Sequence, residues 1–308
     1  MTSPSITTSA VRRELAGTAT DWRGVVFGML LLGSLIATLS VLLAILGTQL
    51  VQGWPVYASR GLDFVTAPLS SDPAKAGIGQ GLVGSILIGF LVALLCFPLG
   101  IVTAVYLEEY APANRLTNLI NVNIRNLAGV PSIVYGLLGL TVFVAFFSAL
   151  GFPNHGRNII AGALTLAALI LPIVIITSAE ALRAVPLSLR EGGYGVGASR
   201  WQVTRRLVLP AARPGILTGT ILALARALGE TAPLLLAGAI LGTYSSQGGI
   251  ANLLTGPYTV LPVTVYDWSR KPQAEFRELT AAAIVALLVL TLFFNAMAIL
   301  LRNRYQKS

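Results

Sequence analysis

The chain has 308 residues, 55% of them hydrophobic and only 11% charged, too few charges to coat a soluble domain, where about a quarter of positions is usual. A formal net charge of +9 would suit a nucleic-acid binder, but the basic residues follow the alternation of apolar runs and loops, so nucleic acid is not expected as a partner. One cysteine, Cys96, and one histidine, His155, exclude a disulfide framework and remove most zinc sites and catalytic triads from consideration.

Residues 1–24 are rich in Ser, Thr and Ala and read as a flexible tail. The first apolar run, Val25 to Leu50, is long enough to cross a hydrocarbon core of about 30 Å as a helix. It follows Arg12, Arg13 and Arg23, as a signal peptide would, but exceeds the roughly 7 to 15 residues of such a segment and is expected to be retained. The loop 51–80 contains Trp54 and Tyr57, read as interfacial anchors or as contacts to an external partner. Gly79-Gln80-Gly81-Leu82-Val83-Gly84 matches a dinucleotide-binding pattern but opens an apolar run rather than a strand–helix unit, so its glycines are assigned to helix packing.

The second run, Gly81 to Leu107, ends at Glu108 and Glu109. No basic or nucleophilic group is expected near this pair, which is read as interfacial rather than catalytic. The third run, Asn126 to Leu150, and the fourth, Asn158 to Ser178, flank a short turn at Asn154-His155-Gly156, whose histidine is read as exposed. The inside segment 179–214 comes next, then the fifth run, Gly215 to Leu241, the loop 242–279 with Tyr244, Tyr258, Tyr266 and Trp268, read like Trp54 and Tyr57 as interfacial anchors or contacts to an external partner, and the sixth run, Thr280 to Leu301. Of the 21 Lys and Arg, Arg60, Lys75, Arg157, Arg270, Lys271 and Arg277 fall in the outside loops; the others, apart from Arg226, lie in 1–24, 108–125, 179–214 and 302–308. That asymmetry places both termini in the cytoplasm. The expected fold is all-α: a polytopic membrane protein with six transmembrane helices and a core over 81–301.

The segment 179–214 carries six arginines interleaved with Leu182, Leu187, Leu189, Trp201, Val203, Leu207 and Leu209, a pattern that a plain connector does not need. Ser188 with Glu191, and Ser199 with Gln202, each fit a capping box. The spacing predicts two short helices, bent near Gly195 and Gly197 and stopped by Pro210. Glu191-Gly192-Gly193, then Gly197, then Leu207-Val208-Leu209-Pro210 resembles the EAA loop of binding-protein-dependent ABC importer permeases, whose transmembrane domain is MetI-like. The resemblance implies a coupling helix in a groove of a cytoplasmic ATPase, with Leu187, Arg190, Glu191, Gly192, Gly193 and Gly197 in the docking loop and 187–210 as its extent. Gly192 and Gly193 stand where the family usually has alanines, and each glycine costs a helix about 1 kcal/mol relative to alanine.

The fifth run holds Ala225-Arg226-Ala227-Leu228-Gly229-Glu230-Thr231-Ala232-Pro233. An arginine near the middle of a membrane span costs roughly 2.5 to 3.5 kcal/mol on insertion scales. Glu230, four residues on, is available as an intrahelical partner, and Pro233 is expected to kink the helix just beyond. Either the pair is a structural contact with a second permease subunit, or Arg226 offers N–H donors to an anion while Glu230 limits how tightly it binds.

This string resembles the phosphate permeases of the same superfamily, the PstA type more than the PstC type. So do Tyr106-Leu107-Glu108-Glu109-Tyr110-Ala111-Pro112, Val130-Pro131-Ser132-Ile133-Val134-Tyr135-Gly136 and Leu261-Pro262-Val263. The resemblance implies Arg226, Glu230 and Thr231 at the anion pathway, a PstC-like second permease, a dimeric PstB-like ATPase holding ATP and magnesium, a PstS-like external binding protein and a setting in membrane lipid. No cofactor is expected on this chain, and it is not expected to be an enzyme. Permeation of another oxyanion, sulfate or molybdate, is the nearest alternative; a proton-coupled secondary transporter titrating Glu230 is the alternative from another class, disfavoured because it would have no ATPase to dock.

Overall fold

The computed structural model describes residues 22–239 and 253–306. Among these every regular element is helical, and six helices are long and apolar enough to span a membrane, as the hydropathy predicts. The chain divides into two units, Met1–Val51 and Gln52–Ser308.

The described part of the first unit is helix α1, Trp22–Arg60, which runs on into the second unit. Its hydroxyls bond back to their own helix: Ser34 Oγ to Leu31 O at 2.8 Å, Thr38 Oγ1 to Ser34 O at 2.9 Å and Thr48 Oγ1 to Ile45 O at 2.7 Å. No hydroxyl of these three is left to seek a partner in hydrocarbon. The helix extends well past Leu50, so the first part of the predicted loop 51–80 is helical; a short α2, Leu62–Thr66, follows.

In the second unit α3, Gly79–Val105, continues into a π turn at Tyr106–Tyr110. α4, Arg115–Ala128, is capped by Asn114, whose side chain accepts from the Thr117 N–H. The third span, α5, begins only at Ser132 and runs through a π segment to Ala149. The predicted start at Asn126 fails because Pro131, at φ −56° and ψ 137°, breaks the chain direction between α4 and α5.

Helix α6, Ile159–Arg183, is capped by Asn158 and is the most buried span of this unit. Its Ile159, Ala163, Leu166, Ile170 and Val174 recur at helical spacing and are all buried. In a bilayer, burying apolar surface against neighbours gains little over contact with lipid, so close approach through small residues must hold the bundle. Gly100 of α3 illustrates it: a Cβ there would come within 2.6 Å of Val174 Cγ1.

After α7, Leu187–Gly195, helix α8 starts at Arg200, passes through a π turn at Thr204–Val208 and continues to Gly229. Pro210 does not stop it. The π turn shifts the ladder by one residue, the Leu209 N–H reaching Thr204 O, and Pro210 falls in the first turn after the shift, where its missing donor is tolerated. Of the two predicted capping boxes, Ser199 with Gln202 forms, at 2.8 Å and 3.4 Å. Ser188 does not cap, because α7 begins one residue earlier with Pro186 as its extended N-cap.

A short α9, Ala232–Leu236, follows a break at Glu230 and Thr231; the predicted remainder of the fifth span, beyond residue 239, lies outside the described residues, as does Tyr244. Within the predicted loop 242–279, α10, Leu261–Ser269, packs on α3 and on α11, Glu275–Gln306. Tyr258 and Trp268 are buried there, Trp268 between Phe64 and Phe276 at 6.4 and 5.7 Å centroid distance. They are core residues, not anchors. Trp54 is exposed, and Tyr57 donates to Ala282 O at 2.7 Å.

Candidate coupling loop and transport site

Helix α7 presents an apolar tip. Leu187, Tyr194 and Val196 are exposed, as are Glu191 and Gly192, and so is Trp201 of α8. The opposite face is seated on α8 through Gly193, the buried residue of α7, where a Cβ would lie 2.8 Å from Leu207 Cδ1 and 2.9 Å from Val203 Cγ2. A Cβ on Gly192 would meet nothing within 4 Å beyond its own helix backbone. The two glycines that look equivalent in sequence therefore differ: one is a seat, the other a bare patch on the outer face.

Gly197 closes the helix. At φ +79° it occupies the left-handed region, and the Ala198 N–H bonds Gly193 O at 3.1 Å while the Gly197 N–H bonds Tyr194 O at 2.9 Å. That pair of bonds is a Schellman termination, which places glycine at the first position past the helix C-cap.

Arg190 turns inward. Its guanidinium donates to Val185 O at 2.8 Å, to Leu182 O at 2.9 Å and to Glu109 Oε1 at 2.9 Å, with side-chain exposures of 16% for Arg190 and 5% for Glu109. It thereby binds two backbone carbonyls around the C-terminus of α6 and joins α7 to the end of α3. Glu108 pairs with Arg183 of α6, whose Nε donates at 2.8 Å, and the Arg200 guanidinium lies over the Tyr110 ring at 5.2 Å. The expectation that no basic group stands near Glu108 and Glu109 is thus corrected. Their partners are 75 and 81 residues away, beyond any local motif, and the π turn carrying both acids directs adjacent side chains to different arginines.

Near the other end of α8, about 35 Å from Val203 by helix rise, Arg226 Nε lies 3.3 Å from Glu230 Oε1. The pair exists, but Glu230 is not helical: at φ −76° and ψ 125° it is the first residue past Gly229. The helix is broken at Glu230 itself rather than kinked just beyond the pair, and Pro233 sits in the first turn of α9. Thr231 begins α9, accepting from the Leu235 N–H at 3.0 Å. α9 is pinned to α5, since a Cβ on Gly136 would approach Pro233 Cα to 2.8 Å. Arg226 remains 54% exposed with its carboxylate partner at 17%, so part of the guanidinium faces open space.

The remaining sequence candidates resolve as packing. A Cβ on Gly81 would lie 3.0 Å from Thr264 Oγ1 and 3.3 Å from Leu261 N, so the glycine-rich run admits α10. Cys96 is buried, its Sγ 3.4 Å from Ala167 O. His155 stands in a tight turn at φ 54°. Among the described residues no group of His, Cys, Asp and Glu is placed to hold a metal.

Residues 96–307 match the family model described as binding-protein-dependent transport system inner membrane component. A probable ABC transporter permease protein of Bacillus subtilis, YqgH, is 39% identical over 60% of this chain, which spans 60% of that relative's length. The phosphate transport system permease protein PstA of Yersinia pestis is 33% identical over 80% of this chain and 81% of its own length. Among solved structures, a chain of the inward-facing methionine ABC transporter MetNI superposes with a TM-score of 0.57 at 17% identity, covering 74% of this chain and 95% of that one; it shares the fold. With six candidate spans among the described residues, a family match over residues 96–307 and a fold shared with solved membrane transporters, the chain belongs to the binding-protein-dependent transport system inner membrane components, as a multi-pass membrane protein.

Proposed function

We propose that this subunit carries inorganic phosphate across the cytoplasmic membrane, with Arg226 as the anion-facing group. The observation that carries the reading is the position of Arg226: a costly charge in an apolar span, beside a helix break, half exposed, and held on one side by Glu230. A guanidinium offers five donors in a planar fork that suits a tetrahedral oxyanion. Glu230, within 3.3 Å, takes up part of that fork and keeps binding weak enough for release. Thr231 adds a hydroxyl at the same break. The PstA relatives support phosphate over sulfate or molybdate, and the exposed α7 tip supports an ATP-driven machine over a proton-coupled one.

In this reading Leu187, Glu191, Gly192 and the turn at Gly197 dock on a PstB-like dimeric ATPase, which binds ATP and magnesium and hydrolyses the nucleotide. A PstC-like permease completes the pathway and a PstS-like protein delivers phosphate from outside. Closure of the ATPase pair displaces α7, and the permeases alternate between inward and outward access. The termini and the tails 1–24 and 302–308 lie in the cytoplasm.

The test is uptake of labelled phosphate by the assembled complex in vesicles, with labelled sulfate in parallel. Arg226→Gln is expected to abolish phosphate uptake while the complex still copurifies, and Arg226→Lys to retain part of it. Undiminished uptake in Arg226→Gln refutes the pathway role, and equal uptake of sulfate by the wild type refutes the assignment of phosphate.

A further inference from the structure

We propose that Glu109 is a positioning residue for transport: it locks α7 to α3 and passes the displacement of the coupling helix to the span that packs beside the Arg226 break. The inference rests on the reading of α7 as the ATPase-docking helix, and it concerns how motion leaves that helix. No part of α7 is covalently near α3, yet the π turn Tyr106–Tyr110 holds the loop from both ends. Glu109 takes Arg190 of α7, and Tyr110 takes Arg200 at the start of α8. Leu107 is buried with Leu182, Val185, Val203 and Val208 beneath them. Arg190 also binds Leu182 O and Val185 O, so one guanidinium ties α6, its linker and α3 to α7.

A π turn inserts one residue into the helical ladder, and within this one both Leu107 and Glu109 are buried. Such turns gather at functional positions. Beyond the clamp, α3 runs as one helix past Pro98 to Gly89 and beyond. It touches α8 through Gly89, where a Cβ would lie 2.8 Å from Leu228 Cδ2, and Leu228 is two residues from Glu230. A continuous helix joined at one end to the moving loop and packed further along beside the broken helix is the connection that a displacement needs. Glu108 offers the internal comparison: same turn, same charge, but its partner Arg183 belongs to α6, and the pair is more exposed, 15% and 47%.

The experiment uses the whole complex in proteoliposomes, this chain with its partner permease, ATPase and external binding protein. Phosphate moved per ATP hydrolysed, ATPase copurification and backbone hydrogen exchange over 187–195 are measured for Glu109→Gln, Glu109→Asp, Glu108→Gln and Glu191→Lys. For Glu109→Gln the expected result is retained ATPase, faster exchange over 187–195 and a loss of about fivefold or more in phosphate per ATP. Glu109→Asp should recover most of that ratio, and Glu108→Gln should stay within about twofold of wild type, as befits an exposed pair. If Glu109→Gln does not assemble, Arg190→Lys carries the same expectation, since it keeps the charge but lacks a fork for three acceptors. Unchanged phosphate per ATP, an equal loss in Glu108→Gln, or loss of the bound ATPase in Glu109→Gln overturns the proposal. Retention of the ATPase by Glu191→Lys overturns the docking reading instead, whatever Glu109 does, so the two failures are told apart.

Discussion

Replacing Gly192 and Gly193 one at a time by alanine should have opposite consequences for α7. Alanine gains about 1 kcal/mol over glycine inside a helix, and at Gly192 nothing lies within 4 Å to oppose it. At Gly193 the new methyl meets Leu207 Cδ1 at 2.8 Å and Val203 Cγ2 at 2.9 Å. Leu207 can rotate, whereas Val203 is stiff at χ1 and fully buried, so overpacking of about 1 to 3 kcal/mol cancels or exceeds the propensity gain. Amide exchange over Leu187–Gly195 in the purified permease, without ATPase, reads the local opening of this helix. Gly192→Ala should slow it about fivefold, the equivalent of 1 kcal/mol, and Gly193→Ala should leave it unchanged or speed it. Equal slowing in both variants would refute the seat that Gly193 forms on α8.

Gly197→Ala keeps every contact but places a Cβ at φ +79°, at a cost of about 1 to 2 kcal/mol; exchange of the Gly197 and Ala198 amides should quicken while α8 from Arg200 onward is unaffected. Gly53→Ala should be far worse than Tyr57→Phe, although both lie on the same stretch of α1 and face α11. A Cβ on Gly53 would come within 2.8 Å of Ala282 N and 2.9 Å of Ala282 Cα, backbone that cannot give way, whereas Tyr57→Phe removes one hydrogen bond to Ala282 O, worth about 1 kcal/mol. Thermal unfolding in detergent should rank them in that order, and a Gly53→Ala protein as stable as Tyr57→Phe would show that α1 and α11 do not pack so closely.

Hydropathy located the six spans because a helix must satisfy its backbone within itself and present apolar residues for about 20 positions, a local demand visible at Val25 to Leu50 or Thr280 to Leu301. The stop at Gly197 was visible for the same kind of reason: a Schellman termination is written in adjacent residues. Pro210 misled because one proline can end a helix or follow a ladder shift, and only the π turn at Thr204–Val208 decides which. Trp268 and Tyr258 looked like interface anchors because an aromatic in a polar loop reads the same whether the loop stays outside or folds back on α3 and α11.

By itself the sequence determined the class of molecule, the number of spans and the charge pair at Arg226 and Glu230, all carried by residues close together along the chain. Tertiary structure alone decided that Gly193 is a seat and Gly192 is not, that Arg226 stays half open at a broken helix, and that Glu108 and Glu109 reach different arginines. Those distinctions depend on which helix lies alongside. Partners 75 and 81 residues away leave no periodicity in the chain, and two adjacent acids acquire separate roles only when a π turn aims them at separate neighbours.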